Sequence, residues 1–116
     1  MDFEERPFGP FARNLSLTRA GDVTLLPTPG HTPGHLSVAV RDGDRLILLA
    51  GDVSYSEGLL LEDVADGVTG DVATARRTMA LVRELAAAEP LVYLPSHDPQ
   101  AVARLEARQA VAGTSR

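Results

Sequence analysis

Thr28-Pro29-Gly30-His31-Thr32-Pro33-Gly34-His35 carries two of the three histidines in this chain. Imidazole is the side chain best suited to ligating a divalent metal or moving a proton near neutral pH. Two histidines four positions apart often share one face of a helix, but Pro33 lies between them and Pro29 just ahead, so a continuous helix is disfavoured. An irregular loop must aim both rings, with proline fixing φ and glycine permitting turns closed to other residues. Two further segments carry potential ligands: Gly51-Asp52, and Pro95-Ser96-His97-Asp98 with the third histidine. Imidazole nitrogen and carboxylate oxygen are both zinc donors, and one carboxylate can bridge two ions about 3.5 to 4 Å apart.

The elements that must position these residues follow from the pattern along the chain. Residues 1–20, with Pro7, Gly9, Pro10 and three Phe, read as an irregular lead-in whose rings dock elsewhere. Val23 to Leu26 reads as a strand running into the histidine loop, and Leu36 to Val40 as a second strand leaving it. After a tight turn at Asp42-Gly43-Asp44, Arg45 to Ala50 is a third strand, apolar enough to be buried on both faces. A long connection spans Gly51 to Gly70, with Leu59-Leu60-Leu61 as a turn of helix or a lid segment. Asp71 is the expected N-cap of a helix whose core stripe is Val72, Ala75, Met79, Val82 and Ala86, ended by Pro90. Leu91 to Leu94 forms a fourth strand, and a last helix runs from Pro99 to about Arg108, with Asp98 as its cap. The order β-β-β-α-β-α predicts a mixed sheet with helices on one face, and each polar motif falls at a strand end.

Bulk properties narrow the function classes. With 116 residues and 44% hydrophobic content, the chain is long enough for at most one domain, with enough apolar residues for a core. A net charge of −5 and a pI near 5.0 oppose general binding to nucleic acid or anionic membrane. Without cysteine, neither a thiolate zinc site nor a thiol nucleophile can form, so a metal must rely on histidine, carboxylate and water. The first seven residues are acidic and broken by proline where a secretory signal needs a basic start, and runs such as Leu46 to Ala50 are far short of a membrane span. A soluble, cytoplasmic protein is the expectation.

From about Arg13 to Arg108, the motifs TPGHTPGH, AGD and SHD, in that order, resemble the C-terminal half of metallo-β-lactamase-fold hydrolases. The resemblance implies an α/β (α+β) fold, half of an αββα sandwich. It also implies metal-ligand roles for His31 on one ion, Asp52 bridging both, and His97 on the other, with His35 as support for the ligands. Asp52-Val53-Ser54-Tyr55 is similar to the corresponding step in N-acyl homoserine lactonases. That similarity implies a Tyr55 phenol that donates to developing oxyanion charge, beside Asp52 as the other catalytic residue. Persulfide dioxygenases and glyoxalase II enzymes share the TPGH loop, which leaves metal and reaction open on that motif alone.

The departure from the family is as informative. Its His-x-His-x-Asp-His segment has no counterpart in these residues, and all three histidines are already assigned. Residues 1–116 therefore read as a partial domain: lead-in 1–20, motif-bearing half-domain 21–108, tail 109–116. Two functions are compatible with it. In one, the chain is half of a Zn²⁺-dependent ester or lactone hydrolase, acting through a metal-bound hydroxide once an N-terminal half completes the binuclear site. In the other, it is a non-catalytic remnant or a self-associating module, pairing as a homodimer through an apolar face.

Overall fold

A computed structural model describes residues 3–54, 57–61 and 71–111. Five strands form one sheet in the order β1-β2-β3-β4-β5: β1 (Leu15–Ser16), β2 (Val23–Pro27), β3 (Leu36–Asp42), β4 (Arg45–Gly51) and β5 (Leu91–Pro95). The helices are α1 (Glu57–Leu61), α2 (Val72–Ala88) and α3 (Ala101–Ala107). Strands β1 to β4 are an antiparallel meander, whereas β5 pairs parallel to β4. Parallel neighbours cannot be joined by a hairpin, which is why the longest connection of the chain, with α1 and α2 in it, lies between them. The mixed sheet expected from the element order is thus present.

One face of the sheet carries the core. Cross-strand pairing puts Leu26, Ala39, Leu46, Leu48, Leu91 and Tyr93 on that face, where they pack with Met79, Val82, Leu85 and Ala86 of α2 and Leu60 of α1. Burying each large apolar side chain of this set is worth about 1.5–3 kcal/mol. On the other face Val23, Val38, Val40 and Ile47 are only half-buried and Leu49 is 45% exposed. The helix stripe holds at Ala75, Met79, Val82 and Ala86 but fails at Val72, which is exposed in the first turn of α2. Thr78 and Leu85 complete the buried face instead, because the helix turns its first residue past the end of the core.

The lead-in is more ordered than its sequence indicates. It supplies β1 and two isolated bridges, Glu4 with Asn14 and Phe8 with Phe11, and buries Phe11 in the core with Phe8 packed beside it. The tail is likewise tied down as far as Val111, whose amide donates to the Leu91 carbonyl and whose side chain is buried. As anticipated, Asp71 caps α2, its carboxylate accepting from the Thr74 amide at 3.1 Å. Among the described residues no helix is long and apolar enough to cross a membrane.

Candidate metal centre

The pairing pattern explains how three distant loops meet. Strand β2 is antiparallel to β3 and β3 to β4, so β2 and β4 run in the same direction, and β5 runs with them. Their C-terminal ends therefore share one end of the sheet. The chain leaves β2 into the loop with His31, β4 into Asp52, and β5 into Ser96 and His97. The Ser96 amide donates to the Gly51 carbonyl at 2.7 Å, which locks the last two departures side by side.

The histidine loop is seated on α2. Gly30 has φ +146°, and a Cβ there would lie 2.5 Å from the Ala75 Cα, so only glycine permits this approach. The Thr78 hydroxyl donates to the Pro29 carbonyl at 2.6 Å and secures the same contact. Behind the loop, the buried Thr28 hydroxyl bonds to Ser37 and to His35 Nδ1, both at 2.9 Å.

His35 is the joint between this loop and Asp52. Its Nε2 accepts the Asp52 amide hydrogen at 3.0 Å, while Nδ1 faces the Thr28 carbonyl at 3.1 Å. A carbonyl can only accept, so this pattern places the ring proton on Nδ1 and leaves Nε2 as the acceptor. The ring can come this close because residue 51 is glycine: Gly51 has φ +55°, and a Cβ there would stand 2.8 Å from Nε2. His35 thus holds the Asp52 backbone in place.

Asp52 stands between the other two histidines. One carboxylate oxygen, Oδ2, is 3.7 Å from His31 Nε2, and the other, Oδ1, is 3.1 Å from His97 Nε2. The first distance is too long for a hydrogen bond, and Oδ1 is buried yet accepts none from any described residue. The carboxylate is thus shared between two imidazoles, one facing each oxygen, and both residue types are able to ligate a divalent cation. Among the described residues, however, no three His, Cys, Asp or Glu side chains group so as to hold a metal ion. The groups come in pairs, one imidazole nitrogen facing each carboxylate oxygen of Asp52.

Asp98 does not cap α3 as expected: the helix begins at Ala101 rather than Pro99, Gln100 is its N-cap, and no side chain caps it, because the Asp98 carboxylate is taken up by the turn and by Arg104 instead. Its Oδ1 accepts from the Gln100 amide at 2.8 Å, and its Oδ2 from the Glu57 amide at 3.1 Å and Arg104 Nη2 at 2.8 Å. Burial alone raises the pKa of this carboxyl, but the Gln100, Arg104 and Glu57 hydrogen bonds together outweigh it and hold it below the ordinary value. Nearby, burial pushes the Tyr93 phenol far up, and its hydroxyl bonds to Ser54 at 2.7 Å. Sequence reasoning gave no role to Thr28, although it opens the histidine motif, and passed over Ser37 and Arg104, which lie in no motif. Tyr55 lies outside the described residues, as does the side chain of Leu59, while Leu60 is fully buried and belongs to the core.

Residues 2–97 match the metallo-beta-lactamase superfamily. A probable metallo-hydrolase of Mycobacterium tuberculosis is 46% identical over 55 residues, 47% of this chain and 18% of that protein. The N-acyl homoserine lactonase AttM of Rhizobium radiobacter is 30% identical over 87 residues, 74% of this chain and 33% of its own length. Among solved structures, an N-acyl homoserine lactone hydrolase with N-hexanoyl-L-homoserine bound at its catalytic metal centre superposes with a TM-score of 0.66 at 25% identity, covering 85% of this chain and 37% of that one. The chain thus spans between about a fifth and two fifths of the relatives it matches. With the mixed sheet, the shared strand ends and this match over most of its length, the chain belongs to the metallo-beta-lactamase superfamily.

Proposed function

We propose that this chain is one half of a binuclear metallohydrolase site, acting on a small ester or lactone. The observation that carries the reading is the division of the Asp52 carboxylate, one oxygen towards His31 and the other towards His97. Imidazole and carboxylate donors suit Zn²⁺, which prefers four ligands. Among the described residues each ion would receive two donors, one imidazole and one carboxylate oxygen, and would need further donors to complete its coordination. Bound there, a pair of divalent ions supplies Lewis acidity and an activated water for carbonyl cleavage.

The chain's own residues do the positioning. His31 and His97 present one ring nitrogen each, Asp52 sets their separation, and His35 holds the Asp52 backbone in place. Tyr55, three positions past Asp52 in sequence, is the proposed donor to the substrate's carbonyl oxygen and to the oxygen released on ring opening. The lactone class is supported by the similarity to AttM and to the product-bound lactone hydrolase.

Zinc titration and lactone hydrolysis of the 116-residue chain test this reading. Weak zinc uptake that His31→Ala and Asp52→Asn abolish, with no turnover, is the expected result. Tight binding of two zinc ions with enzyme-like lactone turnover by this chain alone would refute the division of ligands. A second reading, a self-associating module, is favoured by the half-buried apolar sheet face around Leu49. A zinc-free homodimer indifferent to His31→Ala would establish that reading instead.

A further inference from the structure

Beneath the His97 side of the site lies a buried charged cluster to which the proposed chemistry assigns no role. Arg104, 7% exposed, donates to the Tyr93 carbonyl from Nε at 3.1 Å and from Nη2 at 2.7 Å. The same Nη2 donates to Asp98 Oδ2 at 2.8 Å, and Nε lies 3.5 Å from Glu57 Oε1. Asp98 is also buried and receives the amide of Glu57, the first residue of α1. The Ser54–Tyr93 hydroxyl bond runs alongside, from two positions past Asp52 to four positions before His97.

These contacts join three segments: β4 to α1, which carries Asp52; β5 to α3, which carries His97; and α3 itself. Such a cluster is a weak stability device, since desolvating its ions offsets most of their attraction, and an apolar set of similar volume commonly does as well. Geometry is what it secures. A guanidinium offers donors in a rigid planar fork, so the carbonyl, Asp98 and Glu57 can approach it only from set directions. We propose that Arg104 is a positioning residue for the metal site, its fork setting the place of His97 relative to Asp52 by tying Asp98, Tyr93 and Glu57 into one unit. The inference rests on the metallohydrolase reading for its purpose but on the apo geometry for its substance.

The test compares the unaltered chain with Arg104→Lys, Arg104→Met and the double variant Arg104→Met/Asp98→Asn. The double variant removes the buried Asp98 charge that loss of Arg104 would leave without its guanidinium, while the Glu57 carboxylate is kept, and urea unfolding with circular dichroism selects the variants that fold. Two readouts follow. In the metal-free protein, nuclear Overhauser contacts between the His97 ring protons and the Asp52 β-protons report the 3.1 Å approach directly. In the second, Co²⁺ titration followed by its visible absorption reports affinity and coordination, for which lost supporting contacts typically cost about 10- to 100-fold. The expected result is that the folded double variant loses the His97–Asp52 contacts and weakens Co²⁺ binding at least about tenfold, with Arg104→Lys recovering stability but not the contacts. Contacts of unchanged intensity in the folded double variant would overturn the proposal. If Co²⁺ binding of the unaltered chain is indifferent to His31→Ala and His97→Ala, the metal reading fails, and the metal-free contacts still decide the role of Arg104.

Discussion

Gly51→Ala probes the joint between the two loops of the site. Two separate costs follow from the geometry. Alanine at φ +55° adopts a left-handed conformation that costs about 1–2 kcal/mol. Its Cβ would also stand 2.8 Å from His35 Nε2 and 3.3 Å from Cε1, and the ring cannot simply swing away, because Nδ1 is bound to Thr28. Displacing the ring strips the Asp52 amide of its acceptor, a loss of about 1–3 kcal/mol. The two effects together predict a destabilisation of about 2–5 kcal/mol. In a His35→Ala background the ring and its hydrogen bond are already gone, so Gly51→Ala there costs only the conformational part, about 1–2 kcal/mol. Urea unfolding of all four proteins closes the cycle, with an expected coupling of about 1–3 kcal/mol. Costs of Gly51→Ala that agree within about 0.5 kcal/mol in the two backgrounds would refute the close approach as the reason for this glycine.

Other perturbations address neighbouring contacts. The Asp98 pKa is held below its ordinary value in the folded chain, so its contribution is present at neutral pH and is lost as pH falls through the folded pKa. Asp98→Asn should therefore lower stability at pH 7 and flatten the loss below about pH 4; urea midpoints measured from neutral to acid pH check this, and parallel curves would contradict it. Tyr93→Phe removes the bond to Ser54 and should cost about 1 kcal/mol by the same assay, a neutral outcome showing that bond to be idle. Leu49→Lys should change stability by less than about 0.5 kcal/mol, because the side chain is 45% exposed, while reducing any self-association seen in sedimentation. Association unchanged by that substitution would clear this sheet face of the contact.

Much of the fold was legible because its signals are local. Short apolar runs marked β3 and β4, Asp42-Gly43-Asp44 marked their turn, and Asp71 and Pro90 bracketed α2; β4, expected to be buried on both faces, instead buries one, with Leu49 45% exposed on the other. Strand β1 was not legible: two residues carry no period, and it is held by pairing Leu15 and Ser16 with Leu25 and Thr24. Val72 follows the helical period but lies beyond the core, and no periodicity tells where a partner surface ends. Val111 looked like fraying tail because its anchor, the Leu91 carbonyl, is twenty residues away in sequence.

For the site, the sequence by itself determined which donors exist: three histidines, no cysteine, and aspartates placed at strand ends. It also determined that an irregular, proline- and glycine-restricted loop carries two of them, since backbone restriction is a property of the residues themselves. Only the tertiary structure decided where they stand relative to one another. The common direction of β2, β4 and β5 brings His31, Asp52 and His97 to one end of the sheet, and the positive φ of Gly51 lets His35 reach the Asp52 amide. Arg104, with no motif around it, takes its place under the site only when α3 packs on β5. Donor identity is written residue by residue, whereas distances between donors depend on strand direction and register, which pairing across the whole sheet determines.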